Sequence, residues 1–566
     1  MRKIYLVIFL ISLSFMGISQ SQRRVFIEEG TNASCSPCAS QNPAFDALLL
    51  ANSDKVAVLK YHWYFPGTDP MNAQNPDENN GRVAYYGING VPTAIIDGVI
   101  PDGSTFGYAG SPAGFTQALI DEHYNTPSPL NMSVYQDINT DNKTVDTYIL
   151  LEATGSLSGS LKAHVAVVEK QIHFNSAPGS NGEKDFYDVL RKMVPDMNGS
   201  AISNMEAGDY SILHTQWDYT DWTIYDEEQL AVVSWVQSGN TKTVYQSQIG
   251  SSEMFEPVYE YDAEITKIID VPESTCTPFI QPQIELRNNG SENITSLDIE
   301  YYMNEGESVS YSWTGNLGFL ESEIITLPGI DFVVLDVNEF HVNIVSINGT
   351  VDEYEKNNNI YKTVNHSVKS EDFVRFIMRT DNKPEETTWE VTNGAGEVVY
   401  SGGPYTQSGQ MINEMLSFDE QDCYMFSIYD SGDDGICCEN GTGFFALSDN
   451  TNSSFVDGGN FGSMAQASFT ILKGVGIDDV DLLETGIFPN PANRNIDISV
   501  NLANAATVQY FISDLAGRDI IQANPIHLNS GQHTLSQDIS DLIDGVYLVK
   551  IVYDNRTVTK KIVVKH

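Results

Sequence analysis

The sequence predicts a multidomain protein in which one N-terminal α/β unit is followed by several all-β sandwich units. A chain of 566 residues is too long for one hydrophobic core, and typical domain sizes imply about four or five units. From Arg23 to Thr126, apolar strand patterns alternate with helical patterns, which predicts a mixed sheet covered by helices. After residue 129, short alternating apolar segments separated by turn residues dominate, which is typical of β-sandwiches.

The charge balance argues against two classes of partner. Lysine and arginine together number 30 against 76 aspartates and glutamates, so the formal net charge is −46. A surface this negative repels phosphate backbones and anionic lipids, so we expect neither nucleic acid nor a membrane surface as a partner. Solubility and cation binding are the better expectations.

The first 22 residues have the layout of a cleaved signal peptide. Arg2 and Lys3 precede an apolar stretch from Ile4 to Leu13, which small and polar residues follow. The stretch is too short for a comfortable membrane span, and no later segment is predicted to cross a bilayer. All six cysteines are therefore expected in an oxidising or external compartment, where disulfides persist.

Cys35 and Cys38 form a pair separated by two residues, directly after the first predicted strand. Such a pair can be a redox couple, half of a metal site or a structural staple. A metal site needs further ligands, but the nearest histidine is His62 and the sequence has no second pair of this kind. The apolar pattern from Ala39 to Asn52 predicts a helix, whose N-terminal dipole would stabilise a thiolate. His62 could approach the thiols or simply form a local hydrogen bond.

Two prolines suit this helix, since Pro37 fits its first turn and Pro43 should kink it. This arrangement resembles the thioredoxin superfamily, in which a Cys-x-Pro-Cys sequence often opens a proline-kinked helix. The resemblance implies that Glu29 is a buried proton acceptor for the second cysteine. It also implies that Val91-Pro92-Thr93 is the family's cis-proline loop entering an edge strand. The sequence departs from the family at Ser34, where the superfamily often has tryptophan, so substrate contact and redox potential stay open.

A narrower resemblance is to the Omp-twenty-eight-related outer-membrane protein family, over residues 23–250. It is carried by Glu-Glu-x-Thr before the thiols, by Tyr61-His62, and by Tyr85-Tyr86-Gly87 before the proline loop. The resemblance to the wider superfamily implies four roles: Cys35 attacks a substrate disulfide, Cys38 resolves the mixed disulfide, Glu29 moves the proton and Pro92 positions the substrate.

Two functions follow as expectations. The first is an exported, cell-surface or secreted thioredoxin-like protein of a gram-negative bacterium, acting as a thiol-disulfide oxidoreductase on extracytoplasmic proteins. The alternative is a non-catalytic binding or adhesion protein that keeps this scaffold and uses its β modules on surface glycans or proteins. In the first, Cys35 and Cys38 form a working redox pair; in the second, they form a structural bond.

Strand patterns in the middle of the chain, residues 129–473, predict three β units. Residues 129–262 predict a β-sandwich, with Lys184 to Met193 as a short helix. In the second unit, Asn288-Asn289-Gly290 and the stretch 352–359 resemble an immunoglobulin-like cell-adhesion-related domain. The stretch 423–438 in the third unit resembles a jelly-roll-like module of proteins secreted by the type IX system. These units are expected to act mainly as spacers.

The acidic loop of the third unit raises two questions. Cys423 opens a strand and Cys437 or Cys438 follows its loop, so a hairpin-closing disulfide is reasonable. The remaining cysteine is then unpaired or bonded to Cys276, and the sequence leaves both options open. Calcium is the one candidate ion and no other cofactor is required, although acidic glycine-rich loops are also ordinary turns. Its candidate ligands are Asp430, Asp433 and Asp434.

The end of the chain carries the most specific resemblance. Gly486–Ala492, Asp514–Arg518, Leu542–Ile551 and the basic segment Lys560–Lys565 resemble the type IX secretion C-terminal sorting domain. This implies the type IX machinery as a partner and a location at the cell surface or beyond it. The sequence thus divides into a signal peptide (1–22), a thioredoxin-like domain (23–128), a β-sandwich domain (129–262), an immunoglobulin-like domain (263–366), a jelly-roll-like β domain (367–473) and a sorting domain (474–566).

Overall fold

The computed structural model describes residues 20–102, 107–438, 440–473, 486–502, 505–514, 517–553 and 556–566. The predicted signal peptide, residues 1–22, lies outside the described residues apart from 20–22. The beginning of the predicted sorting domain, 474–485, lies outside them as well.

The front of the chain alternates strands and helices, as its apolar patterns predict. The helices are α1 (Ser36–Ala51), α2 (Pro70–Gln74), α3 (Pro76–Tyr85) and α4 (Gln117–Tyr124). The strands up to residue 250 are β1 (Val25–Thr31), β2 (Val56–His62), β3 (Thr93–Ile96), β4 (Leu130–Asn139), β5 (Thr144–Ala153), β6 (Leu161–His173), β7 (Asp185–Val194), β8 (Ser200–Ile202), β9 (Tyr210–Asp218), β10 (Leu230–Ser238) and β11 (Val244–Ile249).

An eight-stranded mixed sheet organises this half. Its order is β11-β10-β6-β7-β2-β1-β3, and β8 pairs with β6. Strands β1 and β2 are parallel, β3 is antiparallel to β1 at the edge, and β2 meets β7 in parallel through Lys60 and Val189. The sheet therefore contains strands from both units predicted as 23–128 and 129–262, which the sequence patterns did not reveal.

Both faces of this sheet are covered. On one face, Phe45 and Leu49 of α1 and Ile120 of α4 pack against β1, β2 and β3. Farther along, the three-stranded sheet β4-β5-β9 packs against β6 and β10 around a separate core. On the other face, Val83 of α3 packs in a core where Phe26 stacks on Trp235 with ring centroids 4.4 Å apart. These layers bury β1 and β2 along their whole length.

The prediction of a short helix from Lys184 to Met193 is wrong. This segment is β7, which lies between β6 and β2 in the sheet. A left-handed Asp188, with φ of 53°, and a register shift opposite Val167 and Val168 interrupt the alternation of a regular strand. The buried apolar residues consequently recur at a helical spacing, in Phe186, Val189, Leu190 and Met193.

Residues 263–366 form a β-sandwich with its own core around Leu297, Tyr301 and Phe340. Its main sheets have the orders β12-β15-β18 and β13-β21-β20-β16-β17, and β14 pairs with β19. The strands are β12 (Ala263–Ile269), β13 (Ser274–Thr275), β14 (Phe279–Ile280), β15 (Gln283–Asn288), β16 (Ile294–Met303), β17 (Val309–Leu317), β18 (Ser322–Thr326), β19 (Ile330–Asp331), β20 (Val337–Ile347) and β21 (Asn359–His366).

Residues 368–472 form a second sandwich, with a core of stacked aromatic side chains that includes Phe376, Trp389 and Phe426. Its sheets have the orders β22-β30-β27-β24-β25 and β26-β23-β28-β29. The strands are β22 (Val368–Glu371), β23 (Phe373–Arg379), β24 (Thr387–Thr392), β25 (Val398–Gly402), β26 (Met411–Ser417), β27 (Asp422–Asp430), β28 (Phe444–Ser448), β29 (Ser454–Gly458) and β30 (Met464–Leu472).

The predicted hairpin-closing disulfide of this sandwich is wrong. Cys423, at the start of β27, is bonded to Cys276 in the preceding sandwich, and Cys437 is bonded to its neighbour Cys438. Thr275 and its neighbours at the end of β13 lie beside β30, where Ser468 Oγ donates to Ser274 O at 3.1 Å. Cys276 thus reaches Cys423 across the junction, and the disulfide joins the two sandwiches.

The C-terminal residues form a small antiparallel sandwich whose core includes Ile498, Ile512 and Val549. Its sheets have the orders β31-β32-β36 and β34-β33-β37-β38, and β35 also pairs with β33. The strands are β31 (Gly486–Phe488), β32 (Asn495–Leu502), β33 (Ala506–Ser513), β34 (Asp519–Gln522), β35 (Ile526–Leu528), β36 (Gly531–Asp538), β37 (Gly545–Tyr553) and β38 (Arg556–Val564).

Candidate thiol-disulfide site

Cys35 and Cys38 are bonded to each other at the start of α1, with their Cα atoms 5.2 Å apart. Cys35 is the N-cap of the helix, and its Sγ accepts a hydrogen bond from the Cys38 backbone N–H at 3.1 Å. Pro37 occupies the first helical turn, where its missing N–H costs nothing. The sulfur of Cys35 therefore lies where the helix presents its free N–H groups, which favours a thiolate after reduction.

The predicted proline loop lies directly beside this sulfur. The Val91–Pro92 peptide bond is cis, and the carbonyl oxygen of Val91 is 3.3 Å from Cys35 Sγ. Tyr108 donates a hydrogen bond from its hydroxyl to Pro92 O at 2.8 Å. The structure thus brings Cys35, Cys38 and the proline loop with Pro92 together.

Glu29 lies in β1, fully buried. Its Oε2 is 2.8 Å from Lys60 Nζ, and Lys60 also pairs with Asp46 of α1. Burial raises the pKa of Glu29 to about 6, although Lys60 opposes that shift. For Lys60, burial lowers the pKa, but Glu29 and Asp46 outweigh it and raise the pKa above its usual value. A carboxyl with a pKa near 6 can accept and release a proton close to neutral pH.

Sequence reasoning missed Lys60, because apolar alternation does not place a charged side chain in a core. The structure puts it directly opposite Glu29 in the parallel register of β1 and β2. A usable signal did exist: a lysine within the apolar run from Val56 to Tyr61 needs a buried carboxylate as a partner.

The loop between β6 and β7 packs on the turn that leads into the disulfide, and sequence reasoning missed this too. Asn181 Nδ2 donates to the backbone oxygen of Cys35 at 3.1 Å, and the Ser180 N–H donates to Ser34 Oγ at 3.0 Å. Gly179 lies so close that a Cβ there would be 2.1 Å from Ala33 O. Cys35 lies between this loop and the proline loop and is only 1% exposed, so the bond is closed to bulky partners in this conformation.

His62 does not contact the thiols. Its Nδ1 is 2.7 Å from Asp69 Oδ2, and the same carboxylate oxygen accepts the backbone N–H of Ala33 at 2.7 Å. Burial raises the pKa of Asp69, but His62 and these hydrogen bonds outweigh it and leave the pKa lowered. His62 therefore anchors the turn before the thiols through Asp69.

Three carboxylates converge at the acidic loop of the third unit. One oxygen each from Glu386, Asp430 and Asp434 lies within 4.8 Å of the others. Asp430 is buried, and its Oδ2 accepts the backbone N–H groups of residues 432, 434 and 435. Among the described residues, Asp434 Oδ1 is buried without a hydrogen-bond partner. Asp433 is not part of this group, whereas Glu386, distant in sequence, takes its place.

Comparison with known proteins identifies the C-terminal unit. Residues 486–565 match the family model of the secretion system C-terminal sorting domain. This domain marks proteins that the type IX system exports to the cell surface or the extracellular space, so this chain is a type IX cargo. Among the described residues, no helix is long and apolar enough to cross a membrane.

Similarities to other proteins are weak. No curated protein matches the chain. HBP35 of Porphyromonas gingivalis is 13% identical, with 61% of this chain and 98% of that chain covered and a TM-score of 0.34. A protein from Agrobacterium tumefaciens is 15% identical, with 42% and 98% covered and a TM-score of 0.27. A CARDB domain from Pyrococcus furiosus is 19% identical, with 20% and 94% covered and a TM-score of 0.17. These TM-scores are too low to assign a fold.

Proposed function

We propose that this type IX cargo is an extracytoplasmic thiol-disulfide exchange protein whose front unit is thioredoxin-like. The observation that carries the proposal is the position of the Cys35–Cys38 bond. It lies at the N-terminus of α1, with Cys35 Sγ 3.3 Å from the carbonyl oxygen of Val91 in the cis-proline loop. A purely structural staple requires neither the helix dipole nor an edge strand beside its sulfur.

In the reduced protein, the Cys35 thiolate would attack a substrate disulfide and form a mixed disulfide, releasing one substrate thiolate. Cys38 would then lose its proton, attack Cys35 Sγ and restore the internal bond, releasing the second substrate thiolate. The substrate gains two electrons, and two molecules of a low-molecular-weight thiol, which become a disulfide, must reduce the pair for the next cycle. Val91 and Pro92 would hold the substrate through the backbone of the proline loop beside Cys35, since the outer edge of β3 is already bonded to Gly110 and Val99.

Glu29 is the proposed acceptor of the Cys38 proton. Its pKa near 6 keeps it mostly ionised at neutral pH, and the carboxylate can then take a proton from a thiol. Lys60, paired with Glu29 at 2.8 Å, would act as a positioning residue, because it limits the rise in the pKa of that carboxyl.

The remaining units would carry and export the site. We propose the β units 129–262, 263–366 and 367–473 as spacers, of which the first also completes the front sheet. Protein thiols and disulfides outside the cytoplasm are the proposed substrates.

The test is differential alkylation of the full chain in glutathione redox buffers, followed by peptide mass spectrometry. We expect Cys35 and Cys38 to exchange with glutathione, while the Cys276–Cys423 bond serves as an internal control that stays oxidised. In the reduced protein, Cys35 should be alkylated faster than Cys38, because Cys38 lies one turn inside the helix. A front disulfide that resists reduction as well as the control bond does would contradict the proposal.

A second candidate is a non-catalytic surface binding or adhesion protein that keeps the same scaffold and recognises surface glycans or proteins. The observation that favours it is the burial of Cys35 under the β6–β7 loop, since a covered bond resembles a structural staple. Resistance of this bond to glutathione in the experiment above would support this second function.

A further inference from the structure

A cavity of about 480 Å³ lies behind the thiol site, between α1 and the strands β2, β6 and β7. Cavities of this volume are large enough for small-molecule ligands. Leu50 of α1 lies in its wall and is 74% exposed, which is unusual for a leucine in a helix that packs on a sheet. The other aliphatic wall residues are Pro43, Ala47, Leu49, Val56, Val58 and Ile249.

The polar part of this wall is predominantly acidic. Two lysines line the cavity together with four carboxylates, Asp46, Glu183, Asp185 and Asp188. Both lysines already have partners within the protein: Lys170 pairs with Asp188, and Lys184 Nζ donates to Asn175 O at 2.9 Å. The wall therefore has two more acidic than basic side chains, although Asp46 is also paired with Lys60 and Asp185 with His173.

Burial disfavours the charged form of two of these carboxylates. Burial raises the pKa of Glu183 and of Asp188, in spite of the hydrogen bonds and cations that lower them. A positive group entering the cavity would stabilise these carboxylates, whereas a negative group would be repelled by them and by the whole chain, with its charge of −46.

We propose that this cavity binds a small amphipathic cation, with an apolar body and one primary ammonium or amidinium group. The body would lie against Leu49, Leu50 and the strand residues, which would remove the exposed Leu50 side chain from water. The ammonium would lie among the carboxylates of Glu183, Asp185 and Asp188. This inference goes beyond thiol exchange, because neither cysteine lines the cavity.

The test is isothermal titration of the full chain with 4-phenylbutylamine, compared with 4-phenylbutanoate, which has the same ring and chain but the opposite charge. We expect the amine to bind at one site and the carboxylate not to bind. Ala47→Trp, which fills the cavity, should lower the affinity for the amine by at least about tenfold, which corresponds to about 1.4 kcal/mol of binding free energy. Ala44→Trp is the matched control, because Ala44 is an exposed alanine of the same helix that does not line the cavity.

Asp185→Asn provides a second variant that leaves the helix unchanged. Asp185 is half exposed and pairs only with the exposed His173 at the surface, so its replacement should preserve the fold while lowering amine affinity and the salt dependence of binding. Three outcomes would overturn the proposal: no binding of the amine, equal binding of amine and carboxylate, or equal losses in Ala47→Trp and Ala44→Trp. The double variant Cys35→Ser, Cys38→Ser should bind the amine as the native chain does, so this test is independent of thiol exchange.

Discussion

Lys60 Nζ lies 2.8 Å from Glu29 Oε2, between two directly opposed positions of the parallel strands β1 and β2. Both side chains are buried, and Asp46 of α1 is the other partner of the lysine. A buried ion pair of this kind contributes little net stability, but the loss of one partner leaves an uncompensated charge. The pair also limits the pKa of Glu29, so structure and proposed chemistry depend on the same contact.

Lys60→Met should therefore destabilise the front unit in a pH-dependent way. At pH 7 we expect the free energy of unfolding to fall by about 3–5 kcal/mol, because Glu29 loses its cation. The pKa of Glu29 in the folded protein, about 6, already exceeds its ordinary value of 4.5 and should rise further. The stability that the Glu29 carboxyl contributes is fully present below pH 4.5. It is lost as the pH rises through the pKa of Glu29 in the folded protein. The loss of stability in Lys60→Met should thus be smaller at pH 5 than at pH 7.

Urea unfolding of the full chain at pH 5 and pH 7 measures this difference. Lys55→Met is the control, because Lys55 pairs with Asp121 at the surface and exposed pairs contribute little. An equal loss at both pH values in Lys60→Met would show that packing, and not the charge of Glu29, explains the effect.

Asn181→Ala should make the Cys35–Cys38 bond easier to reduce. The side chain holds the β6–β7 loop to the backbone oxygen of Cys35, and one hydrogen bond contributes about 1 kcal/mol, which corresponds to a roughly fivefold faster opening. The rate of reduction by dithiothreitol, followed by alkylation and mass spectrometry, is the measurement. Asn142→Ala, in the loop between β4 and β5, is the control. In this variant the Cys35–Cys38 bond should be reduced at the native rate. Native rates in both variants would mean that this loop does not gate the bond.

Removal of the Cys276–Cys423 bond should loosen the two middle sandwiches. The bond closes a loop with a sequence separation of 147. A disulfide across a loop of this length stabilises the folded protein by about 2–5 kcal/mol. We expect Cys276→Ser with Cys423→Ser to lower the unfolding midpoint and to expose the junction near residue 367 to proteases. The adjacent Cys437–Cys438 bond closes almost no chain, so its double serine variant should change the midpoint much less. Equal effects would contradict the proposed role in joining the sandwiches.

Calcium should stabilise the third unit through Glu386, Asp430 and Asp434. Burial and the neighbouring Asp434 raise the pKa of Asp430, and calcium would compensate these carboxylates. Calcium at about ten times its dissociation constant would contribute about 1.4 kcal/mol, visible as a higher unfolding midpoint of the full chain. The shift should disappear in Glu386→Gln and persist in Asp433→Asn, since Asp433 lies outside the group. A shift lost only in Asp433→Asn would favour the ligands predicted from sequence.

The residues that sequence analysis placed correctly are those whose environment is set locally. Pro37 lies in the first turn of α1, as its missing N–H predicts. What failed depended on partners far along the chain. The parallel pairing of β2 with β7 places Lys60 opposite Val189, and no local sequence pattern predicts such a pairing.

The same distinction holds for the site. Cys35, Cys38 and Pro92 belong to short motifs, so they were found from sequence. Glu386 and Cys276 lie far in sequence from the groups that they join, and their roles come from the packing of sheets. The cover over Cys35 comes from a loop that follows it by more than a hundred residues, so exposure of the thiol could not be judged from the motif alone.

Export beyond the outer membrane should depend on residues 486–565 and not on the dithiol. A signal peptide accounts only for passage through the inner membrane, whereas the sorting domain marks the chain for the type IX system. This domain has its own core, with Ile498, Ile512 and Val549, and shares no strand with the front sheet. Its deletion should therefore leave a folded front unit in the periplasm.

Cell fractionation with immunodetection measures where each variant accumulates. Protease protection in intact cells, and the retained Cys35–Cys38 bond, would show that the truncated chain is periplasmic and folded. Cys35→Ser is the matched control, because it abolishes the dithiol but leaves the sorting domain intact, and it should still reach the cell surface or the medium. Normal amounts of the truncated protein outside intact cells would mean that another part of the chain directs export, since residues 486–565 would then be dispensable.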